Sequence, residues 1–175
     1  YFVANHTAND FDGWLPLAVP FGSAVRYDPI SGRSGRLTQR SEGAAMQLYV
    51  QLAAGETMIL CAAAMDSRVP AWTYVKPAGE PVPVAGNWSV EFVEGGPKLP
   101  AAYPLKALAS WTHAPDAAAQ VFAGTARYTV RFATPRGDAD DWWLDLGDVR
   151  DSARVRLNGR DVGALFAIPF RIQVG

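Results

Sequence analysis

Apolar side chains recur at every second position along most of this chain, and no stretch of about 12 residues carries them at the 3.6-residue helical period. A period of two places successive side chains on opposite faces of an extended strand, so such a chain must bury its apolar faces sheet against sheet. Met46, Leu48, Val50 and Leu52 fall on one face of a strand, with Gln47, Tyr49 and Gln51 on the other. Ala53-Ala-Gly55-Glu56 then turns the chain into a second strand over residues 57–62, a hairpin with a glycine-containing loop. Residues 125–132 set Ala126, Tyr128, Val130 and Phe132 against Thr125, Arg127, Thr129 and Arg131. Ala153, Val155 and Leu157 alternate with Arg154 and Arg156, and Asn158-Gly159 follows, a two-residue turn in which both positions tolerate positive φ. Shorter strands are expected over residues 14–19, 24–27, 88–93, 142–146 and 170–174. Asp28-Pro-Ile-Ser-Gly32 and Gly95-Gly-Pro97 punctuate them. Only residues 105–109 and 116–119 read as single helical turns. The expected fold class is all-β, in two β-sandwich units.

Pro70, Pro77, Pro81 and Pro83, with Gly79 and Gly86, crowd residues 69–86. Proline cannot donate to a ladder, so this stretch reads as an extended connector between a small, partial sandwich over 1–68 and a second unit over 87–175. Tyr128, Val130, Phe132, Leu144, Leu146, Val155 and Leu157 are expected to share the core of that second unit. With 49% hydrophobic and 19% charged residues the chain is not disordered. A net charge of −1 and no basic face exclude nucleic acid as a partner. No apolar run approaches the ~20 residues of a membrane-spanning helix, so no membrane partner is expected. Cys61, the single cysteine, excludes an internal disulfide and a cysteine-based zinc site, and its neighbours in Met58-Ile-Leu-Cys-Ala-Ala-Ala64 read as those of a buried thiol. A TIM barrel, at ~250 residues, is too large for the chain. The chain opens at Tyr1 within an apolar run and stops at Gly175 straight after a strand-like segment, so both ends read as cut from a longer protein. Strands missing at the ends would leave open sheet edges, which are templates for edge-mediated self-association.

The stretch Phe122-Ala-Gly-Thr-Ala-Arg-Tyr-Thr-Val-Arg-Phe132 resembles the sugar-binding domain of glycoside hydrolase family 2 and its relatives. The resemblance continues through Trp143-Leu-Asp-Leu-Gly-Asp-Val149 and Ala153-Arg-Val-Arg-Leu-Asn-Gly-Arg-Asp-Val-Gly163, and ends in Pro169-Phe-Arg-Ile-Gln-Val174. It implies a galactose-binding-like jelly roll for residues 87–175. Tyr1-Phe-Val-Ala-Asn5 and Val25-Arg-Tyr-Asp-Pro-Ile-Ser-Gly32 resemble the small β-sandwich that precedes such a domain in large bacterial α-L-rhamnosidase-like hydrolases. The catalytic carboxylates of that family lie in an upstream barrel, so the resemblance implies no catalytic residue in this chain. It implies as partners the catalytic domain of the same parent, expected to be periplasmic or secreted, and carbohydrate.

Sugar-binding sandwiches stack aromatic rings on pyranose faces and orient the hydroxyls with a few polar groups. Trp111, His113 and Asp116 lie close together in the least regular segment and form the candidate carbohydrate-binding cluster. In the alternative reading Trp111 packs the loop onto the core and His113 satisfies a backbone group. Asp138, Asp140, Asp141, Asp148 and Asp151 sit in turns, where aspartate caps its own backbone. Asp138-Ala-Asp-Asp141 lacks the rest of a calcium-loop pattern. Arg127, Arg131, Arg154 and Arg156 lie on solvated strand faces, and Trp142 and Trp143 point to opposite sides. Asn5-His-Thr7 and Asn87-Trp-Ser89 match the glycosylation pattern, which is common by chance. No phosphate loop, Ser-His-Asp spacing or nucleotide fingerprint occurs, so no cofactor or metal is expected. The expected function is a non-catalytic accessory region of a glycoside hydrolase, with a purely structural brace as the alternative. An independent small enzyme would need a convergent acid/base or nucleophile pair in one cleft, and the sequence offers none.

Overall fold

The computed structural model describes residues 1–43, 45–65 and 68–175. In chain order its strands are β1 (Phe2–Ala4), β2 (Phe11–Leu17), β3 (Ser23–Tyr27), β4 (Ser34–Arg36), β5 (Gln39–Glu42), β6 (Ala45–Leu52), β7 (Thr57–Ala63), β8 (Trp88–Gly96), β9 (Tyr103–Leu105), β10 (Ala123–Thr129), β11 (Trp143–Asp145), β12 (Ala153–Leu157), β13 (Arg160–Leu165) and β14 (Arg171–Gln173). One 3-10 turn (Trp111–His113) and one short helix, α1 (Ala117–Gln120), interrupt them. The named strands pair antiparallel, and the fold is an all-β sandwich type, as the alternation requires.

Contacts divide the chain into two compact units, Tyr1–Lys76 with Ala139–Gly175, and Pro77–Asp138. The first break falls inside the proline-rich segment. Residues 139–175, read from sequence as continuing the second sandwich, instead group with the first 76. Their strands pair only among themselves, β11 with β14 and β12 with β13. Ile168 and Arg171 meet residues of the first 76: a Cβ at Gly55 would lie 2.3 Å from Ile168 Cδ1, and Arg171 Nη1 lies 3.8 Å from Asp10 Oδ2.

In the first unit a sheet of order β1-β7-β3-β4 faces a sheet of order β2-β6-β5. Ala24, Met58 and Leu60 from one meet Leu48, Val50 and Leu52 from the other, closed by Phe21 and Leu37. The inward residues of β6 are those the alternation selects, while Gln47, Tyr49 and Gln51 lie on its other face. On β7 the same period corrects the reading of Cys61. Met58 and Leu60 take the inner face, so Ile59 and Cys61 point outward and the thiol is exposed despite its apolar neighbours. The β6–β7 turn depends on Gly55, whose φ is +75°, and on Glu56, whose Oε2 accepts from Ala53 N at 2.7 Å.

The start of the proline-rich segment is a strap fixed to this unit. Trp72 N donates to Arg36 O, and Arg36 N to Pro70 O, both at 2.8 Å. The Tyr74 hydroxyl accepts from Thr38 N and donates to Tyr49 O, both at 2.9 Å. The Gln51 carboxamide imitates a strand partner, donating to Val75 O at 2.8 Å and accepting from Val75 N at 3.0 Å. Beneath the strap lies Arg26 of β3, which is only 3% exposed. Its guanidinium sits 4.4 Å over the Trp72 ring, meets Glu56 Oε1 at 2.5 Å and donates to Gln51 O at 2.6 Å.

The second unit carries a β10-β8-β9 sheet whose core is Val90, Phe92, Ala114, Ala119 and Phe122. Ala126 and Tyr128 pack on it, but the seven-residue core expected from sequence does not form. β10 ends at Thr129, so Val130 and Phe132 lie beyond the paired strand, and Phe132 is 38% exposed. Leu144, Leu146, Val155 and Leu157 belong to the other unit, where Val155 is buried.

Two stability predictions follow from this packing. Leu48→Ala should cost about 2–5 kcal/mol in urea melts, whereas Phe132→Ala should cost less than about 1 kcal/mol. Glu56→Ala strands the buried Arg26 charge and should cost about 3 kcal/mol, of which adding Arg26→Met should recover a large part.

Candidate functional site

Each residue of the candidate cluster has a position dictated by the chain around it. Ser110 caps the 3-10 turn, its Oγ accepting from Thr112 N at 3.2 Å. That places Trp111 over the core of the second unit. The indole Nε1 donates to Phe122 O at 3.2 Å, and the ring meets Phe92 edge-on with centroids 6.2 Å apart. Trp111 N donates to the Tyr128 hydroxyl at 3.1 Å, and the two rings stack with centroids 6.3 Å apart. Trp111 is half-buried; His113 and Asp116 are exposed. Asp116 is the N-cap of α1, its Oδ1 accepting from Ala118 N at 3.0 Å. Gln120 closes the segment by donating to Ala114 O at 2.9 Å.

The three residues therefore share one segment on one side of the sheet, but the structure records no hydrogen bond or ring contact among them. The residue that completes the Trp111 environment is Tyr128. Its position on the apolar face of the 125–132 alternation was legible, but its pairing with Trp111 was not. Burial raises the phenol pKa of both Tyr128 and Tyr103, and the Tyr103 hydroxyl is buried with no partner among the described residues. Both phenols stay neutral near pH 7, and the Tyr128 hydroxyl anchors the Trp111 amide within the aromatic layer. Gly124 makes the layer fit: a Cβ there would lie 2.2 Å from Glu94 O and 2.7 Å from the Phe122 ring. The glycine of the Phe122-Ala-Gly-Thr motif is thus a packing requirement of the β10–β8 pair.

A shallow depression elsewhere on the unit is lined by Asn87, Ser89, Thr129, Val130 and Arg131, and none of the cluster reaches it. Among the described residues no group of three or more His, Cys, Asp or Glu side chains is arranged to hold a metal ion, Asp138, Asp140 and Asp141 included.

No family model matches the chain. Over 105 residues, 58% of its length, it is 34% identical to a protein named "Putative beta-glucuronidase" from Formosa agariphila, of which the match covers 9%. Nearly the whole chain, 99%, superposes on a rhamnosidase from Novosphingobium sp. PP1Y with a TM-score of 0.75 and 24% identity, covering 16% of that chain. The shared fold is thus that of a small region within a much larger enzyme. What the chain shares with each of these two proteins is a likeness to a small portion of a much longer chain.

The hydrogen bonds of Trp111 give the cluster a measurable structural weight. Trp111→Ala should cost about 2–3 kcal/mol in denaturant melts, since it removes a half-buried ring and leaves Phe122 O and the Tyr128 layer without its support. His113→Ala should stay within about 0.5 kcal/mol of wild type.

Proposed function

We propose that the chain is a non-catalytic accessory region of a glycoside hydrolase that acts on rhamnosides or related glycosides, and that it contacts carbohydrate while supporting the catalytic domain of the same parent. The observation that carries this reading is the superposition of 99% of the chain on a 16% share of the rhamnosidase from Novosphingobium. The 34% identity with a named β-glucuronidase supports the same class of parent from sequence. Hydrolysis of a glycosidic bond takes two carboxyl groups about 5–9.5 Å apart across the sugar. In this reading those groups belong to another part of the parent.

One observation favours bracing over sugar contact at the 111–116 segment. The indole nitrogen of Trp111 is already bonded to Phe122 O and its backbone amide to Tyr128. Its ring thus has work within the fold, and His113 and Asp116 are what remain for a ligand.

The test is calorimetric and enzymatic. Titration of the chain with rhamnose, galactose and rhamnose-containing oligosaccharides should release saturable heat, and no aryl α-L-rhamnoside should be turned over. Heat from none of these sugars would leave bracing alone, and turnover by the chain alone would overturn the accessory reading.

A further inference from the structure

The outer face of the β2-β6-β5 sheet is organised in a way that solvation does not require. A sheet face turned to water needs only scattered polar side chains. Here the register sets Asp12 beside Gln51, Trp14 beside Tyr49, and Gln47 beside Arg40. Trp14 and Tyr49 meet edge-on with centroids 5.3 Å apart, and Tyr49 meets Tyr74 at 5.1 Å. The Arg40 guanidinium lies 4.3 Å over the Trp14 ring and is oriented by its bond to Gln47 Oε1 at 2.8 Å and by Glu42 at 3.0 Å. The Tyr49 hydroxyl donates to Asp12 Oδ1, and Gln51 Nε2 to Asp12 Oδ2 at 3.1 Å. Gln51 is itself pinned to the backbone of Val75. Aromatic rings, a carboxylate, carboxamides and a guanidinium are held in one layer by one another, so little side-chain freedom remains to be lost on binding.

The unused bonding capacity identifies the ligand. An ionised carboxylate offers about four acceptor sites and a guanidinium five donors. Tyr49 and Gln51 take two sites of exposed Asp12, and Gln47 and Glu42 take two donors of exposed Arg40. What is left is an acceptor and a donor beside aromatic rings, the complement of an uncharged sugar with hydroxyls on its rim and C–H groups on its face. The face carries as many cations as anions, Arg40 paired with Glu42 and Lys76 near enough to Asp12 to act on its carboxylate, so it holds no net positive charge for an anionic ligand.

We propose that this face is a binding platform for a neutral pyranose unit of a glycan, which sits on the stack of Arg40 over Trp14 and beside the half-buried Tyr49, with Asp12, Arg40 and Gln47 at the hydroxyls. It rests on the reading of the chain as a carbohydrate-contacting accessory region and moves the contact from the 111–116 segment to the first unit.

The experiment is a titration of the 15N-labelled chain with methyl α-L-rhamnoside, methyl β-D-galactoside and methyl β-D-glucuronide, following the indole N–H signals, that of Trp14 assigned with Trp14→Phe. A neutral glycoside should shift the Trp14 indole saturably. Asp12→Asn and Arg40→Gln, both exposed and away from the core, should each weaken that binding about tenfold, while His113→Ala should leave it unchanged. Binding that survives both Asp12→Asn and Arg40→Gln but is lost in His113→Ala would overturn the platform and keep the accessory carbohydrate-binding reading. Tighter binding of the glucuronide than of either neutral glycoside would overturn the neutral-ligand assignment. No shift with any glycoside would overturn both the platform and sugar contact by the chain.

Discussion

Arg26 is the residue around which the first unit is organised. A guanidinium inside a sandwich is tolerated only where a counter-charge and acceptors surround it. Glu56 from the β6–β7 turn, the carbonyl of Gln51 from the facing sheet and the Trp72 ring from the strap meet that demand together. Each comes from a different element, so the pairing of β3, the shape of the turn and the course of the strap are coupled through one side chain. Glu56 also accepts from Ala53 N, which makes the counter-ion and the turn the same structure. The Arg26 Nε has no partner among the described residues, so hydrogen bonding of this charge is incomplete and the cation–π contact with Trp72 carries more of its stabilisation.

The second unit reaches a packed state by different means. Its sheet has three strands, and the segment between β9 and β10 folds over one side to complete the core with Trp111, Ala114, Ala119 and Phe122. Phe92 stands at the centre, with Tyr103, Trp111 and Phe122 around it at centroid distances of 6.3, 6.2 and 4.9 Å. An aromatic residue on an irregular segment looks like a recognition element when only its sequence is known. Here Trp111 is tied down at both its backbone amide and its indole nitrogen, which is how a loop is anchored to a core. The aromatic residues of the β2-β6-β5 sheet sit on a regular face instead, where the register spaces them and the neighbouring polar groups are oriented but not used up. Recognition elements borne by strands are held more rigidly than those borne by loops. This separates the aromatic residues that tie a loop to a core from those arrayed on the outer face of a sheet.

The sequence by itself determined the longer strands, but not β4, β5 and β9, each only three or four residues long. The two-residue period of β6 placed Leu48, Val50 and Leu52 inward, and Asn158-Gly159 marked the β12–β13 hairpin, in which the two residues adopt φ values of 51° and 80°. Both rest on local physics, since side-chain alternation and turn conformation depend on neighbours in the chain. Only the tertiary structure decided which faces were covered. Cys61 shares the composition of a buried strand but has the outward phase, and Phe132 continues an alternation past the last paired residue. Residues 139–175 pair among themselves and group with the first 76 residues, while the Trp111 cluster became an anchor through its contacts with Phe92, Phe122 and Tyr128. Burial is a property of what lies opposite a face, and partners distant in sequence supply it. Arg26 is the clearest case. Nothing around it in Ser23–Tyr27 marks it for burial, because the Glu56 carboxylate, the Gln51 carbonyl and the Trp72 ring that make burial affordable come together only when the two sheets close.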